Sequence, residues 1–294
     1  MMSPGFFRHG KALLDVAALC GVLLYGLLAW SAEHGTPSGP ALDPVWAAAQ
    51  TRGSLRVATD VGFRPFAFAQ GEHLVGYDID LARAVAARLG LSVEFVPTGY
   101  DGLYDTLVSG RADMIAAALP YAPEQGFRAR FSQFYFDAGQ VLVAPADATL
   151  SGMSSLAGQR VGVALGSDAD ALARQLLRGG ARFTLRSAYD EPAAALADLR
   201  AGRLDAVIVD NIAALEATQA APGLRIVAAL SSTPLALAVP RPAFRLEAEI
   251  NRALGELRRE GFFEELNRRW FAQQPAPAGI RRARAAGRGS AREG

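Results

Sequence analysis

Histidine and cysteine, the residue types that most often carry metal-binding or nucleophilic chemistry, are scarce in this chain. The single cysteine, Cys20, lies inside an apolar N-terminal segment, so an intramolecular disulfide or a cysteine-based metal site cannot form. Of the three histidines, His9, His34 and His73, only His73 falls in the region predicted to be globular. A zinc site or a Ser-His-Asp triad would need that one histidine. The scarcity of these residues therefore disfavours metal and triad chemistry, and no metal or cofactor is predicted.

The stretch from Asp113 to Phe136 has the pattern of a binding surface made largely of main chain. An apolar, strand-like run from Met114 to Leu119 leads into a turn and helix start at Pro120 to Glu124. Small residues in such a stretch leave backbone groups open to a ligand, and connecting segments commonly carry binding residues. We expect this stretch to form the floor of a binding site.

Length and charge narrow the possible classes of protein. The 294 residues include 51% hydrophobic and 20% charged residues, enough apolar material for one large core or two ordinary ones, and we expect two lobes. The formal net charge of +1 gives no electrostatic reason to expect nucleic acid as a partner.

The N-terminal segment has the layout of an export signal. Arg8, His9 and Lys11 precede an apolar run from Val16 to Trp30, so residues 1–31 are interpreted as a signal peptide or, if uncleaved, a membrane anchor. The protein is accordingly expected to be periplasmic or otherwise extracytoplasmic. Residues 32–53, rich in Gly, Pro and Ser, are predicted to be a linker, and residues 272–294 a disordered basic tail.

Between these ends the chain alternates short β-like runs with helical patterns, which is typical of an α/β fold. In the first such unit, strands at Leu55 to Thr59 and Ser92 to Val96 flank a helix, with Asp78 as its predicted N-cap and Gly90 as its stop. The later part of the chain continues this alternation. Its predicted strands are Arg160 to Ala164, Phe183 to Leu185, Ala206 to Val209 and Leu235 to Val239. Its predicted helices are Ala169 to Leu177, Pro192 to Ala201, Asn211 to Thr218, Phe244 to Arg259 and Phe262 to Phe271.

A local repeat indicates that the two halves are related. Each copy combines a helix end, a glycine and an aspartate before an apolar strand. The matched residues are Leu107, Gly110, Arg111 and Asp113 in the first half, and Leu199, Gly202, Arg203 and Asp205 in the second. Together with the common order of strands and helices, this repeat favours two structurally similar lobes.

The order and spacing of several motifs resemble the periplasmic solute-binding proteins of the polar amino-acid ABC transporter family, bacterial extracellular solute-binding protein family 3. The resemblance covers about Ser54 to Phe271. The motifs are Phe63-Arg64-Pro65-Phe66, Gly76-Tyr77-Asp78-Ile79-Asp80-Leu81-Ala82, Tyr100-Asp101-Gly102-Leu103, Gly110-Arg111-Ala112-Asp113, Phe131-Ser132, Gly162-Val163 and Leu204-Asp205-Ala206-Val207.

The resemblance implies an α/β, two-lobed periplasmic-binding-protein-like clamshell of type II, in which each lobe is a mixed sheet flanked by helices. Residues 54–136 and 236–271 would form the first lobe, and residues 137–235 the second. Two crossing segments would join the lobes, which would close on a small solute and present it to a membrane ABC permease.

The same resemblance assigns most of the site residues. Phe63 and Tyr100 match two aromatics that face the ligand, and rings so placed can hold an apolar or cationic group. Asp210 matches the aspartate that pairs with the ligand's ammonium. The competing role for Asp210, as a carboxylate that follows four apolar residues, is to cap the helix that begins at Asn211.

Two further acids belong to this predicted site. Ser167 and Asp168 match the second-lobe anion contact at a helix start, where relatives usually have Ser or Thr in place of Asp168. A carboxylate at this position is a good N-cap, but its negative charge repels an anionic ligand. Asp60 lies where relatives with cationic ligands keep an acid.

The largest departure from the family pattern lies in the stretch from Asp113 to Phe136. The carboxylate-clamping arginine falls on Gln125, and its preceding Ser or Thr contacts fall on Ala118 and Pro120. A neutral amide cannot reproduce a bidentate guanidinium contact, and losing that cation would cost about 3 to 5 kcal/mol. Candidate substitutes are Arg64, Arg128 and Arg130, of which the resemblance places only Arg64 near the cleft, where an ordinary solvent-facing role competes.

These observations lead to one main hypothesis and two alternatives. The chain is predicted to be a monomeric, extracytoplasmic solute-binding protein that favours an amine or other cationic solute over a standard α-amino acid. The first alternative is a ligand-sensing or accessory module that keeps the fold without uptake-type binding. An enzyme of the dehydratase kind ranks third, because no acid has a neighbouring base that spacing would nominate.

Overall fold

The computed structural model describes residues 43–220 and 223–271, and the predicted export signal and basic tail lie outside this range. Twelve strands form two five-stranded sheets and a hairpin within it. In chain order the strands are β1 (Ser54–Thr59), β2 (Phe68–Gln70), β3 (His73–Val75), β4 (Ser92–Pro97), β5 (Met114–Ile115), β6 (Ala129–Asp137), β7 (Gln140–Pro145), β8 (Arg160–Ala164), β9 (Thr184–Tyr189), β10 (Ala206–Asp210), β11 (Leu224–Ala229) and β12 (Pro234–Pro240).

Eight α-helices of the described residues pack against these sheets, and short 3₁₀ turns lie between them. The helices are α1 (Pro44–Arg52), α2 (Tyr77–Arg88), α3 (Leu103–Val108), α4 (Asp168–Arg178), α5 (Pro192–Arg200), α6 (Asn211–Ala220), α7 (Phe244–Arg259) and α8 (Phe262–Phe271). The bounds of α7 and α8 agree with the sequence prediction, because each helix carries a clear apolar stripe such as Leu246, Ile250, Leu254 and Leu257.

The two large sheets share one topology. The first has the order β4-β1-β5-β12-β6, and the second has β9-β8-β10-β7-β11. In each sheet the first three strands are parallel, and the fourth strand is antiparallel to both of its neighbours, so it alone runs in the opposite direction. Two lobes of similar build, each a mixed sheet flanked by helices, are therefore confirmed.

The local repeat predicted from the sequence has a common structural role in both sheets. Asp113 accepts hydrogen bonds from the Arg56 main chain and side chain, and Asp205 does the same with Arg160. The preceding glycine of each copy, Gly110 or Gly202, ends a helix in the left-handed region that glycine tolerates best. Each copy thus ties the start of one parallel strand to the start of its neighbour.

Helix α1 lies in the part of the chain predicted to be linker, residues 32–53. It places Trp46 and Ala49 in the first-lobe core, with Trp46 7% exposed and Ala49 fully buried. The sequence prediction missed it because the segment is short and has little apolar periodicity of its own. Such a helix is stabilised mainly by tertiary packing.

Asp78 is not the N-cap that the sequence predicted. Helix α2 begins at Tyr77, its N-cap residue is Gly76, and no side chain caps it. The Asp78 carboxylate is instead buried, and its Oδ2 accepts a hydrogen bond from the Ala118 N–H. Ala118 has a φ of +46°, so the predicted strand Met114 to Leu119 ends early, after Ile115.

The chain passes between the two sheets twice, after β6 and before β12. At this junction the Asp137 carboxylate accepts hydrogen bonds from Gly139 N, Thr233 N and Ser232 Oγ, over 2.9, 2.8 and 2.6 Å. One side chain therefore holds both connecting segments together. The residue bounds given above for the lobes stay a prediction. No helix of residues 43–220 and 223–271 is long and apolar enough to span a membrane.

Candidate functional site

The carboxyl ends of the parallel strands in the first sheet bring three of the predicted site residues to one edge. Asp60 directly follows β1, Tyr100 follows β4, and Ala118 follows β5. Because ligands of open α/β sheets bind at the carboxyl ends of the strands, this edge is where a first-lobe contact surface is expected.

The two aromatic residues at this edge are only partly covered. Phe63 is 44% exposed and stacks on Phe66 with 5.7 Å between ring centroids, while Tyr100 is 49% exposed. Burial of part of the ring, followed by the charges of Asp101 and Asp60, raises the pKa of Tyr100. Tyr100 therefore lies within electrostatic reach of Asp60, and both rings have surface available to cover a ligand.

The second sheet has a cavity of about 190 Å³ at the corresponding edge, with both apolar and polar lining residues. Ser167 and Asp168 line it from the start of helix α4, and Asp210 lines it from the end of β10. Ser167 is the N-cap of α4, where its Oγ accepts a hydrogen bond from Asp170 N over 3.2 Å and donates one to Ala164 O over 2.7 Å. No arginine is among the described residues that line this cavity.

Asp210 combines the two roles that the sequence left as alternatives. Its Oδ1 accepts a hydrogen bond from Ala213 N over 2.9 Å, which caps helix α6, and its side chain also lines the cavity. Burial and then the charge of Asp210 raise the pKa of Glu216 on the same helix. Negative charge therefore accumulates at this end of the second lobe.

The residues at the expected anion clamp offer no cation. Gln125 ends a 3₁₀ turn, and its Oε1 is buried without a hydrogen-bond partner among the described residues. Pro120 forms an isolated bridge with Leu235, and Ala118 donates its N–H to Asp78. The sequence predicted main-chain groups open to a ligand in this stretch, but the Ala118 N–H, the Leu119 carbonyl and the Tyr121 N–H already form hydrogen bonds within the protein.

Arg64 lies on the loop after β1, and its guanidinium covers the Phe68 ring at 3.7 Å from the ring centroid. Phe68 in turn contacts Trp270 edge to face, with 5.8 Å between centroids. The Arg64 side chain is thus stacked against the β2 strand. Its predicted role as an anion contact stays a prediction.

Sequence reasoning missed one residue of the second-lobe cavity, Gln140. It is the first residue of β7 and lies directly opposite Asp210 in the antiparallel register. Its Oε1 is buried and has no hydrogen-bond partner among the described residues. The apolar run of β7 gave no indication of this, because the register that joins residues 140 and 210 depends on sheet pairing across 70 positions.

The structure thus gathers Ser167, Asp168, Asp210 and Gln140 around one cavity and places Asp60, Tyr100 and Ala118 along one edge of the other sheet. Phe63 and Arg64 lie on the loop that follows Asp60, and Pro120 and Gln125 lie on the loop that follows Ala118. Their assignment to a shared ligand remains a prediction.

Comparison with known proteins identifies the family. Residues 55–273 match the family model of bacterial extracellular solute-binding proteins, family 3. The L-cystine-binding protein TcyJ of Escherichia coli (strain K12) is 30% identical over 266 residues, which cover 88% of this chain and 97% of TcyJ. The arginine-binding extracellular protein ArtP of Bacillus subtilis (strain 168) is 26% identical over 266 residues, with 89% of this chain and 98% of ArtP covered.

Solved structures agree with this result. The crystal structure of the L-cystine solute receptor of Neisseria gonorrhoeae, in the unliganded open conformation, is similar with a TM-score of 0.70 and 27% sequence identity. The match covers 77% of this chain and 96% of the receptor. The fold described above is that of a two-lobed solute-binding protein. The chain belongs to the bacterial extracellular solute-binding proteins of family 3, which capture a small solute for a membrane ABC permease.

Proposed function

We propose that this protein captures a small polar solute with an amine or other cationic group between its two lobes and delivers it to an ABC permease. The observation that carries the proposal is the second-lobe cavity, where Asp168 and Asp210 are lining residues and arginine is absent from the described lining. An uncompensated pair of carboxylates attracts a cation and disfavours an anion.

The three arginines that could replace the missing carboxylate clamp are engaged elsewhere. Arg128 pairs with Asp105, Arg130 pairs with Glu247, and Arg64 stacks on Phe68. An arginine recruited to the ligand would have to give up these contacts. This arrangement supports a solute in which a positive group, and not a carboxylate, supplies most of the binding free energy.

The relatives support the ammonium contact of this proposal, although both are named for α-amino acids, which also carry carboxylates. ArtP is named for arginine, which carries both an ammonium and a guanidinium group, and TcyJ is named for L-cystine. Asp60 at the first-lobe edge would add a third carboxylate for a ligand with two cationic ends. We further propose that the protein acts as an extracytoplasmic monomer and catalyses no reaction, since the relatives named here are binding proteins.

The proposal is tested by thermal shift and isothermal titration with amines, polyamines and amino acids. A true ligand at one hundred times its Kd should stabilise the folded protein by about 2.7 kcal/mol. Asp210→Asn should abolish the shift, because it removes the charge while an amide oxygen can still cap α6. Asp147→Asn, an exposed acid in the turn after β7, is the matched control and should bind as wild type does.

Two results would overturn the proposal. If no small solute shifts the melting temperature, uptake-type binding is wrong and an accessory module is favoured. If the best ligand is an anion or a neutral sugar, the cationic assignment is wrong even though the family assignment stands.

A further inference from the structure

Gln140 has a main chain that is fully committed to the fold. Its N–H donates to Ser231 Oγ over 2.8 Å, and its carbonyl accepts from Leu230 N over 2.8 Å. These bonds fix the residue at the junction between β7 and the segment before β12. The direction of its side chain is therefore set by the sheet. The side-chain amide is the part of Gln140 that can contact a ligand.

The sheet register places the Gln140 side chain beside Asp210. The two residues are directly opposite each other in the antiparallel pair of β7 and β10, and both line the 190 Å³ cavity. Directly opposed residues carry their side chains on the same face, with Cβ atoms about 4.5 to 5.5 Å apart. The amide-bearing side chain of Gln140 and the carboxylate-bearing side chain of Asp210 thus lie on the same face of the sheet, beside the same small volume.

Among the described lining side chains, acceptors outnumber donors: the Asp168 and Asp210 carboxylates and the Gln140 amide oxygen accept, while the Gln140 amide nitrogen and the Ser167 hydroxyl donate. Gln140 Oε1 is buried without a partner, and the Asp168 and Asp210 carboxylates are further acceptors. The Ser167 hydroxyl hydrogen is used by Ala164 O, which leaves the Gln140 amide nitrogen as the remaining side-chain donor of the described lining. An unpartnered buried acceptor is destabilising, and a turn of the Gln140 amide that brings Oε1 to the cavity would let a ligand N–H satisfy it.

We propose that Gln140 is a specificity-determining ligand contact, and that Gln140 Oε1 and Asp210 together receive two N–H groups of one cationic nitrogen centre, a primary ammonium or a guanidinium. This inference rests on the proposed cationic solute and adds a criterion to it. A carboxylate alone attracts any cation, including a quaternary ammonium, because the attraction depends on charge. A neutral amide oxygen requires a directed N–H donor, so the pair selects for hydrogen-bond donors as well as charge.

The test compares three pairs of probes by isothermal titration: L-arginine and its asymmetric ω-dimethyl derivative, L-ornithine and its δ-trimethyl derivative, and putrescine and its tetramethyl derivative. For the pair that wild type binds best, we expect the unmethylated member to bind at least tenfold more tightly. Gln140→Met keeps side-chain length and removes the acceptor, so this ratio should fall to within about threefold. Gln140→Glu keeps an acceptor and should preserve or increase the ratio.

The outcomes separate the two proposals. If wild type binds a cation but Gln140→Met keeps the wild-type ratio, or loses affinity equally for both members of a pair, Gln140 has no specificity role and only this inference is wrong. If wild type binds no cation at all, the proposed function fails and this inference fails with it. Gln140→Glu, which has nearly the same size as the natural residue, shows whether a loss in Gln140→Met reflects the missing acceptor or a misfolded protein.

Discussion

Asp78 carries its carboxyl group in the core of the first lobe, with no exposed surface. Burial raises the pKa of this group to about 7, while the Ala118 N–H and the Tyr135 hydroxyl act in the opposite direction. The Ala118 main chain that Asp78 holds is part of the stretch predicted to form the site floor. The same carboxyl group therefore links the stability of the first lobe to the shape of its binding edge.

Replacing Asp78 with Asn should change how stability depends on pH. In the unfolded chain the Asp78 pKa is near 3.8, so between pH 4 and 7 the folded protein keeps a proton that the unfolded chain has released. The stability that the neutral carboxyl contributes is complete below pH 4 and is lost as the pH rises through 7. Relative to Asp78→Asn, wild type should lose roughly 3 to 4 kcal/mol of unfolding free energy over that range.

Denaturant unfolding of both proteins at pH 4, 5, 6, 7 and 8 measures this difference. Asp147→Asn, at an exposed position, is the control and should leave the slope unchanged. Parallel pH profiles for wild type and Asp78→Asn would show that Asp78 stays ionised in the folded protein.

Tyr100 should contribute to affinity and little to stability. Its ring is half exposed, so Tyr100→Ala should cost less than about 1 kcal/mol of unfolding free energy. If the ring covers a cationic ligand group, affinity should fall by about 0.5 to 2 kcal/mol, or roughly 2- to 30-fold. Tyr100→Phe keeps the ring and should retain most of the binding in a titration. Equal binding by wild type and Tyr100→Ala would place Tyr100 outside the site.

The two copies of the local repeat offer a comparison between equivalent elements in different surroundings. The Asp113 side chain is 2% exposed and pairs with Arg52 and Arg56, whereas the Asp205 side chain is 30% exposed and pairs with Arg160. Asp113→Ala should therefore destabilise the protein by about 2 to 4 kcal/mol, and Asp205→Ala by about 1 kcal/mol or less. Denaturant unfolding measures both, and an equal cost would mean that burial is not what distinguishes them.

For the molecule as a whole, the junction held by Asp137 should set how easily the lobes move. Asp137→Ala removes three hydrogen bonds, two of which join the two connecting segments, and should cost about 2 kcal/mol of unfolding free energy. Asp137→Asn, which keeps one oxygen acceptor, should cost less. If the same closure accompanies the binding of each ligand, Asp137→Ala should shift affinities for different solutes by one common factor. Titration with two ligands tests this, and a change in their affinity ratio would mean that Asp137 acts on the site itself.

The sequence by itself was sufficient for the elements with strong local patterns and for the family. The apolar stripe of helix Phe244–Arg259 and the helix ends at Gly90 and Gly202 are short-range features. They can therefore be predicted from the neighbouring residues alone. The repeated Asp113 and Asp205 motifs also indicated the relation between the lobes, because each copy is a short, contiguous pattern, although the hydrogen bonds to Arg56 and Arg160 join distant strands.

Only the tertiary structure decided the features that depend on distant pairing. Helix α1 is stabilised because Trp46 packs in the first-lobe core. Ala118 leaves the strand conformation at the point where the buried Asp78, 40 residues earlier, accepts a hydrogen bond from its N–H. Gln140 became a site residue only through its register with Asp210. Each of these contacts joins segments that are distant in the chain, and the local sequence of neither segment indicates the contact. The free energy that brings the segments together comes from burying the whole core.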